Sequence, residues 1–187
     1  MASLVLASQS PRRVQLLTTL GLEFIVDPAE MDETARLGER PDALVRRLAV
    51  AKALVVGRRH THATILGSDT IVAKGTSLFG KPRTVEAAEE MLRKLSGTRH
   101  QVYTGVALWI PKRGRGYVRV AVAHVTFRDL SALEIREYAA SGEPLDKAGA
   151  YAIQGQAGRW VTAFEGNLET VMGLPTDVVQ KLLRQGV

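Results

Sequence analysis

Residues 4–13 of the 187-residue chain read LVLASQSPRR, an apolar run followed by small polar residues, a proline and two arginines. The apolar run predicts a buried strand over residues 4–7. Pro11, directly after the N-cap candidate Ser10, predicts a helix over residues 11–20. A strand that runs straight into a helix is the beginning of a βαβ unit, so this stretch indicates an α/β fold.

Strand and helix patterns then alternate along the chain. Strands are predicted at residues 24–26 and 64–68, with residues 71–73 continuing extended, and helices at residues 41–56 and 85–95. Thr84 is the predicted N-cap of the later helix. The apolar face of the 41–56 helix is expected to consist of Leu44, Leu48, Ala51 and Val55.

The second half of the chain contains two long β-rich runs, residues 101–110 and 117–127, joined by a segment with proline and glycines that predicts a hairpin. Ser131 and Glu134 match a capping box for a helix that ends near residue 140. A last helix is predicted at residues 176–184. The expected fold class is α/β, a mixed twisted sheet flanked by helices, in a single domain spanning residues 1–187.

Composition narrows the functional classes. Hydrophobic residues make up 45% and charged residues 24% of the chain, which is typical of a globular domain. The absence of cysteine excludes disulfides, thiol nucleophiles and thiolate metal sites. The net charge of +6 favours an anionic partner such as a nucleotide, a nucleic acid or an acidic protein. We find no signal-peptide pattern and no apolar run long enough to span a membrane, and therefore expect a cytoplasmic protein.

The first candidate site is the strand-to-helix junction around Ser8, Arg12 and Arg13. The free amides and the positive dipole end of a helix N-terminus bind anions, and arginines add a bidentate grip on phosphate. Arginines here oppose the helix dipole, which a bound phosphate would explain. The alternative is an ordinary capped helix with exposed arginines.

Three charged residues form the next candidates. Asp69 is expected where the 64–68 strand ends, and its carboxylate could hold a divalent cation, orient a water molecule or simply cap a turn. Lys52 lies at the edge of the apolar face of its helix and could extend its ammonium into a cleft or into bulk water. Lys81 lies between a glycine and a proline, which favours a positioned charge.

A glycine-rich segment at residues 142–155 carries charges at one end and Gln154 at the other. A buried-facing glutamine could read a base edge through its paired donor and acceptor, but a glutamine taken alone favours plain loop hydrogen bonding. The histidines show no metal-ligand spacing beyond the weak pair His60 and His62, and no metal is assigned to them.

Short motifs follow one another along nearly the whole chain: LASxSPRR at 6–13, DE at 32–33, AKA at 51–53, SDT at 68–70, GKP at 80–82, SGxxHxVYTGV at 96–106, GEPxDKAGAYxIQG at 142–155 and VxGLP at 171–175. This ordered set closely resembles the Maf family of nucleoside triphosphate pyrophosphatases. The resemblance implies a fold similar to that of ITP pyrophosphatases, with a cleft between two lobes.

The resemblance also implies an activity, the hydrolysis of a nucleoside triphosphate to the monophosphate and pyrophosphate with a divalent metal, Mg²⁺ or Mn²⁺. It makes Asp69 the proton acceptor, and Glu33 and Asp69 the metal-binding residues. It allows a homodimer, whereas a nucleic acid or a membrane is not an expected partner. The implied substrate-binding residues are Ser8, Arg12, Arg13, Lys52, Thr70, Lys81, Lys147 and Gln154.

Arg12, Thr70 and Gln154 look like the branch of the family that acts on dTTP and UTP, rather than the branch that acts on 7-methyl-GTP. Gln154 could pair with the imide edge of a pyrimidine. The sequence departs from the family pattern at Thr170, where an asparagine usually precedes Val171. Two alternatives remain: a pyrophosphatase for modified or purine nucleotides, and a non-catalytic regulator of cell division that binds nucleic acid or a protein. For the enzyme, we expect Lys52→Ala and Lys81→Ala to impair catalysis with little effect on folding.

Overall fold

The structure, a computed structural model, describes residues 4–186. Residues 1–3 and 187, the ends of the predicted domain, lie outside the described part. The strands are β1 (Leu4–Leu6), β2 (Phe24–Val26), β3 (Thr64–Lys74), β4 (Ser77–Phe79), β5 (Arg99–Ile110), β6 (Arg115–Phe127) and β7 (Val161–Glu165). The α-helices are α1 (Pro11–Thr18), α2 (Pro41–Gly57), α3 (Val85–Leu95), α4 (Ala132–Ala140), α5 (Leu168–Met172) and α6 (Thr176–Gly186), and short 3₁₀ helices occupy Pro111–Arg113, Ala148–Ala150 and Gln156–Trp160.

The strands form one mixed sheet in the order β2-β1-β3-β5-β6-β7, with β4 paired to β3. β1 runs parallel to both of its neighbours, with Leu4 opposite Phe24 on one side and Thr64 on the other. β4 and β7 pair antiparallel with β3 and β6. Because parallel strands need helical crossovers, α1 and α2 connect β1, β2 and β3. The mixed α/β fold predicted from the sequence is confirmed.

The described residues divide into two compact units, within each of which the residues contact one another extensively. The first contains the described residues of Met1–Asp69, Thr104–Ala121 and Leu168–Val187, and the second contains Thr70–Tyr103 and Val122–Asn167. β3, β5 and β6 contribute residues to both. The single domain spanning residues 1–187 stays a prediction.

In the first unit, α2 lies directly against the sheet. A Cβ atom on Gly67 of β3 would overlap the backbone carbonyl oxygen of Ala49, and one on Gly105 of β5 would overlap that of Val45. Only glycine permits backbones to approach this closely. The interface is filled by small and branched side chains, all buried: Val5, Ala7, Ala49, Ala53, Val56, Ala63, Ile65 and Ala107.

The second unit is built around an aromatic cluster. Trp160 and Tyr138 are fully buried and meet edge to face, as do Phe127 and Tyr151. His100 is buried in the same cluster, with its Nε2 2.9 Å from the Tyr151 hydroxyl, and burial lowers its pKa to about 4. The cluster therefore holds a neutral imidazole.

Several local predictions are confirmed. Thr84 caps α3 by accepting a hydrogen bond from the Ala87 amide, and Ser131 and Glu134 form the reciprocal capping box of α4. The hairpin is present, with β5 and β6 adjacent and joined through Pro111–Arg113 and the left-handed Gly114.

Other expectations were wrong in detail. The buried face of α2 includes Val45, Ala49 and Val56, whereas Ala51 and Val55 are only half-buried. The face is rotated because the glycine contacts bring the Ala49 and Ala53 side of the helix onto the sheet. β3 does not end before Asp69: it continues to Lys74, since its later residues pair with β4, and residues 71–73 are extended as predicted. β4, β7, α5 and the later 3₁₀ helices had no sequence prediction.

We expect Gly67→Ala to lower the free energy of unfolding by about 1–3 kcal/mol, because the added methyl group forces α2 away from β3. Gly80→Ala is the matched control, since the nearest atom to its new Cβ would be Ile71 Cδ1 at 3.8 Å. Urea unfolding of the two variants measures the difference. Equal stabilities would show that the approach of α2 to β3 does not require glycine.

Candidate active site

Lys52 lies on the buried face of α2, not at its margin, and is only 6% exposed. Its ammonium nitrogen is 2.7 Å from Asp69 Oδ1 and 2.8 Å from Glu33 Oε1. The sequence left open whether this ammonium reaches a cleft or bulk water. The structure instead places it between two carboxylates that come from β3 and from the segment between β2 and α2.

Asp69 is buried inside β3, although the sequence placed it at the end of a strand. The expectation that Asp69 follows the end of a strand holds only for the neighbouring strand, β1. The parallel pairing of β1 with β3 ends at Leu6 and Leu66, so Asp69 lies beyond the carboxyl end of β1. That edge of a parallel sheet is where ligands bind in open α/β folds.

Burial raises the pKa of Asp69, because the carboxylate loses its hydration. The positive charges of Lys52 and Arg13 oppose this shift, and the negative charge of Glu33 adds to it. A carboxylate whose pKa is raised by burial and that faces a specific charged partner is typical of functional sites. Asp69 therefore has the environment of a candidate general base.

Arg13, at the beginning of α1, connects distant parts of the first unit. Its Nε donates to the Gly173 carbonyl at 2.9 Å, and its Nη1 donates to the Ser68 carbonyl at 2.9 Å and to Ser8 Oγ at 3.2 Å. Burial lowers the pKa of Arg13, and the carboxylates of Asp69 and Glu33 oppose that shift. The arginine thus holds the backbone directly before Asp69, and its predicted contact with phosphate stays a prediction.

The N-terminus of α1 has the predicted Ser10 N-cap and Pro11, but the Ser10 side chain makes no capping hydrogen bond. The Ser8 hydroxyl oxygen accepts from the Ser10 amide at 3.2 Å as well as from Arg13. The hydroxyl also carries one hydrogen, which is a donor suited to an anion. Arg12 is half-buried in the first turn of the helix.

Sequence reasoning missed Ser68 and Gly173 as parts of this arrangement. The fully buried Ser68 hydroxyl lies within hydrogen-bond distance of two backbone carbonyls, 3.0 Å from that of Gly105 and 2.8 Å from that of Gly173. Gly173 has a φ of +100°, which favours glycine. The VxGLP motif was visible in the sequence, but no local pattern tells which distant donors its carbonyl accepts from.

Thr170, which departs from the family pattern, is buried in α5. Its carbonyl accepts from the Thr104 hydroxyl at 2.7 Å. Within the described part of the chain its own hydroxyl has no hydrogen-bond partner. The backbone carbonyl of Thr170, rather than its side chain, therefore connects α5 to Thr104 on β5.

The remaining predicted substrate-binding residues belong to the second unit. Lys81 is exposed, and Thr70 is half-buried directly after Asp69 in the chain. The Lys147 ammonium donates to the Glu143 carbonyl at 2.8 Å and lies 2.6 Å from Asp146 Oδ1. One of the two sequence interpretations had Gln154 facing inward, but the residue is exposed.

Gln154 is exposed because the chain turns there, with the Gly155 amide donating to the Ala152 carbonyl at 3.0 Å. The turn is anchored by Tyr138, whose hydroxyl accepts from the Ala152 amide at 3.0 Å and donates to Glu143 Oε1 at 3.0 Å. The exposed amide of Gln154 thus lies on a turn that hydrogen bonds to Tyr138 keep in place.

The residues predicted to bind a metal fit that role in part. Glu33 and Asp69 each place a carboxylate oxygen within 2.8 Å of the same ammonium, so the two side chains converge. Carboxylate oxygens are the donors that Mg²⁺ and Mn²⁺ prefer. Among residues 4–186 no group of three His, Asp or Glu side chains could hold a metal ion. Two carboxylates suit an ion that takes its other ligands from phosphates and water.

No helix within residues 4–186 has both the length and the apolar character needed to cross a membrane.

Comparison with known proteins identifies the family. The sequence pattern of the Maf-like protein family matches residues 3–186. The chain belongs to that family. The predicted resemblance is confirmed by relatives at high identity. A dTTP/UTP pyrophosphatase of Myxococcus xanthus is 52% identical over 97% of this chain and 91% of its own length. One of Moorella thermoacetica is 48% identical over 98% of this chain and 94% of its own length.

The fold of this Maf-family chain also has a counterpart among solved structures. The Staphylococcus aureus Ham1 protein aligns with a TM-score of 0.56 over 99% of this chain and 100% of its own, at 14% sequence identity. At that identity the likeness concerns the fold alone. It agrees with the mixed α/β fold predicted from the sequence.

The burial of Lys52 changes the expectation for its replacement. We predict that Lys52→Met lowers the free energy of unfolding by about 3–5 kcal/mol, because it leaves Asp69 buried without the ammonium that contacts it directly. Lys52→Met with Asp69→Asn should recover much of this loss, since no buried charge is left unpaired. Lys81→Met is the control, and replacing this exposed lysine should change stability by less than about 0.5 kcal/mol. Urea unfolding that gave Lys52→Met and Lys81→Met the same stability would contradict the prediction.

Proposed function

We propose that this chain is a nucleoside triphosphate pyrophosphatase that hydrolyses dTTP and UTP to the nucleoside monophosphate and pyrophosphate. One observation carries the proposal: the Lys52 ammonium between Asp69 and Glu33, in a Maf-family chain. Two relatives at 52% and 48% identity are named dTTP/UTP pyrophosphatase, which supports the same activity and base class here.

In the proposed reaction Asp69 orients a water molecule and accepts its proton as the water attacks the α-phosphorus. The bond from water oxygen to phosphorus forms while the bond to the oxygen that bridges the α- and β-phosphates breaks. The electron pair leaves with pyrophosphate. The positive charge of Lys52 favours the ionised form of Asp69, which must be deprotonated to act as a base.

The triphosphate is expected to bind near the N-terminus of α1. The free amides of the first turn and the dipole of the helix attract anions. The Ser8 hydroxyl can donate to a phosphate oxygen, and Arg12 and Arg13 supply positive charge. Lys52 is proposed to contact the phosphates from α2, and Lys81 from the segment that precedes α3. These charges would stabilise the pyrophosphate leaving group.

Glu33 and Asp69 are proposed to hold the divalent cation, Mg²⁺ or Mn²⁺. When bound, such an ion would neutralise charge on the phosphates and so favour attack at phosphorus. Neither carboxylate can bind the metal and Lys52 equally well through the same oxygen. Since each carboxylate has two oxygens, one can face the ammonium and the other the metal.

Base selection is proposed for Arg12, Thr70 and Gln154, with Lys147 as a further substrate contact. The exposed Gln154 amide carries both a donor and an acceptor, which matches the N–H and C=O groups of a pyrimidine imide. We further propose a cytoplasmic location, where nucleoside triphosphates are present, and a homodimer as the assembly.

The test is a panel of canonical and modified nucleoside triphosphates with Mg²⁺ or Mn²⁺, in which pyrophosphate and orthophosphate are measured separately. We expect pyrophosphate release to be fastest from dTTP and UTP. Asp69→Asn should lower kcat by about 10²–10⁴-fold, the usual contribution of a general base. Asp177→Asn is the control, because Asp177 is an exposed aspartate on α6 that pairs with Lys181.

Other outcomes would redirect the proposal. Pyrophosphate from purine or modified nucleotides alone would retain the chemistry and reject the proposed base selection. No turnover with any nucleotide, together with salt-dependent nucleic-acid binding that survives Asp69→Asn, would favour a regulatory binding protein.

A further inference from the structure

The segment at residues 27–40, between β2 and α2, carries Glu33 and contains no helix or strand. It reaches the length, roughly 12–15 residues, above which irregular connections are uncommon and usually functional. Glu33 is 38% exposed, so its own burial does not hold it in place. Holding Glu33 at Lys52 costs conformational entropy, and contacts elsewhere in the segment offset part of this cost.

One such contact is a bidentate ion pair between Glu39 in this segment and Arg47 on α2. Nε of Arg47 lies 2.7 Å from Oε1 of Glu39, and Nη2 lies 2.7 Å from Oε2. The Glu39 side chain is only 8% exposed and that of Arg47 24%, so water screens the pair weakly. The hydrogen bonds from Arg47 lower the pKa of Glu39 to about 2.

The same guanidinium reaches the chain beside Glu33. Nη2 of Arg47 donates to the Thr34 carbonyl at 3.1 Å. The Thr34 amide and hydroxyl are bound in turn by Asp32 Oδ1, at 2.9 and 2.6 Å. Arg47 and Lys52 both belong to α2, so one rigid helix binds the backbone after Glu33 and the carboxylate of Glu33 itself.

We infer that Arg47 and Glu39 are positioning residues that hold Glu33 against Lys52. The two residues and the Thr34 carbonyl form a clasp, which orders the middle of the segment before any ligand binds. The role of the positioned Glu33 in binding a metal ion rests on the proposed function. The ordering of the segment does not depend on that function.

The decisive variant is Arg47→Lys, which keeps the charge but cannot make the fork of parallel hydrogen bonds. Arg46→Lys is the matched control, because Arg46 is the exposed neighbour on the same helix. The first readout is hydrogen exchange of residues 33–40 in the full chain without metal or nucleotide. We expect exchange in Arg47→Lys to be faster on the order of 10-fold, the effect of losing a charged hydrogen bond, and unchanged in Arg46→Lys.

The second readout separates positioning from general stability. In Arg47→Lys the Mg²⁺ concentration for half-maximal pyrophosphate release from dTTP should rise about 10-fold, while kcat at saturating Mg²⁺ changes by less than about 3-fold. The melting temperature of the same protein is recorded alongside. Glu39→Gln keeps one acceptor and should show an intermediate effect, and it replaces Arg47→Lys if that variant does not fold.

Each result decides a different question. Equal exchange in the Arg47→Lys and Arg46→Lys proteins would overturn the clasp. Faster exchange with an unchanged Mg²⁺ requirement would also overturn it as a device that positions Glu33. If the wild-type protein released no pyrophosphate, the proposed function would fail, while the exchange data would still test the clasp.

Discussion

The ammonium of Lys52 is removed from water by its position on α2, and that desolvation would be unfavourable without counterions. Asp69 and Glu33 provide them, at 2.7 and 2.8 Å. The arrangement constrains three stretches of chain at once: the helix, the strand β3 and the irregular segment at residues 27–40. Breaking the contact between Lys52 and Asp69 separates two buried opposite charges, so the helix and the strand must be held in register for the protein to tolerate the cluster.

The backbone supplies much of that constraint. At Gly67 and Gly105 the backbone of α2 approaches the sheet closely, so a lysine on the inner face of the helix is enclosed. On the other side of Asp69, Arg13 and the Ser68 hydroxyl both contact the carbonyl of Gly173, which fixes the strand directly before the carboxylate. The positions of Lys52 and Asp69 are thus fixed by close backbone packing and by hydrogen bonds to backbone carbonyls. Such contacts change little with solvent or salt.

In the second unit, a buried tyrosine hydroxyl holds an irregular segment in place. Its glycine-rich segment is anchored to an aromatic cluster through the Tyr138 hydroxyl, which contacts Glu143 and the Ala152 amide. The buried ring is rigid, and its hydroxyl satisfies groups of a turn that would otherwise need water. A polar residue such as Gln154 can therefore be presented at the surface on a well-held turn.

Local chemistry made much of this molecule readable from the sequence. Capping residues, proline and glycine positions and apolar periodicity predicted most helices and the hairpin, since these signals act within a few residues.

The motifs indicated the family and singled out Lys52, Asp69 and Glu33. They did not reveal that Lys52 is buried, that Gln154 is exposed, or that one unbroken strand contains Asp69. The burial of Lys52 depends on the glycine contacts of α2, the exposure of Gln154 on the turn anchored by Tyr138, and the length of β3 on pairing with β4. Arg47 and Glu39 carried no local signal, because their hydrogen bonds form only when the segment at residues 27–40 folds onto α2. Short-range preferences are written in the sequence, whereas the burial and partners of a charge depend on residues that only the tertiary structure brings together.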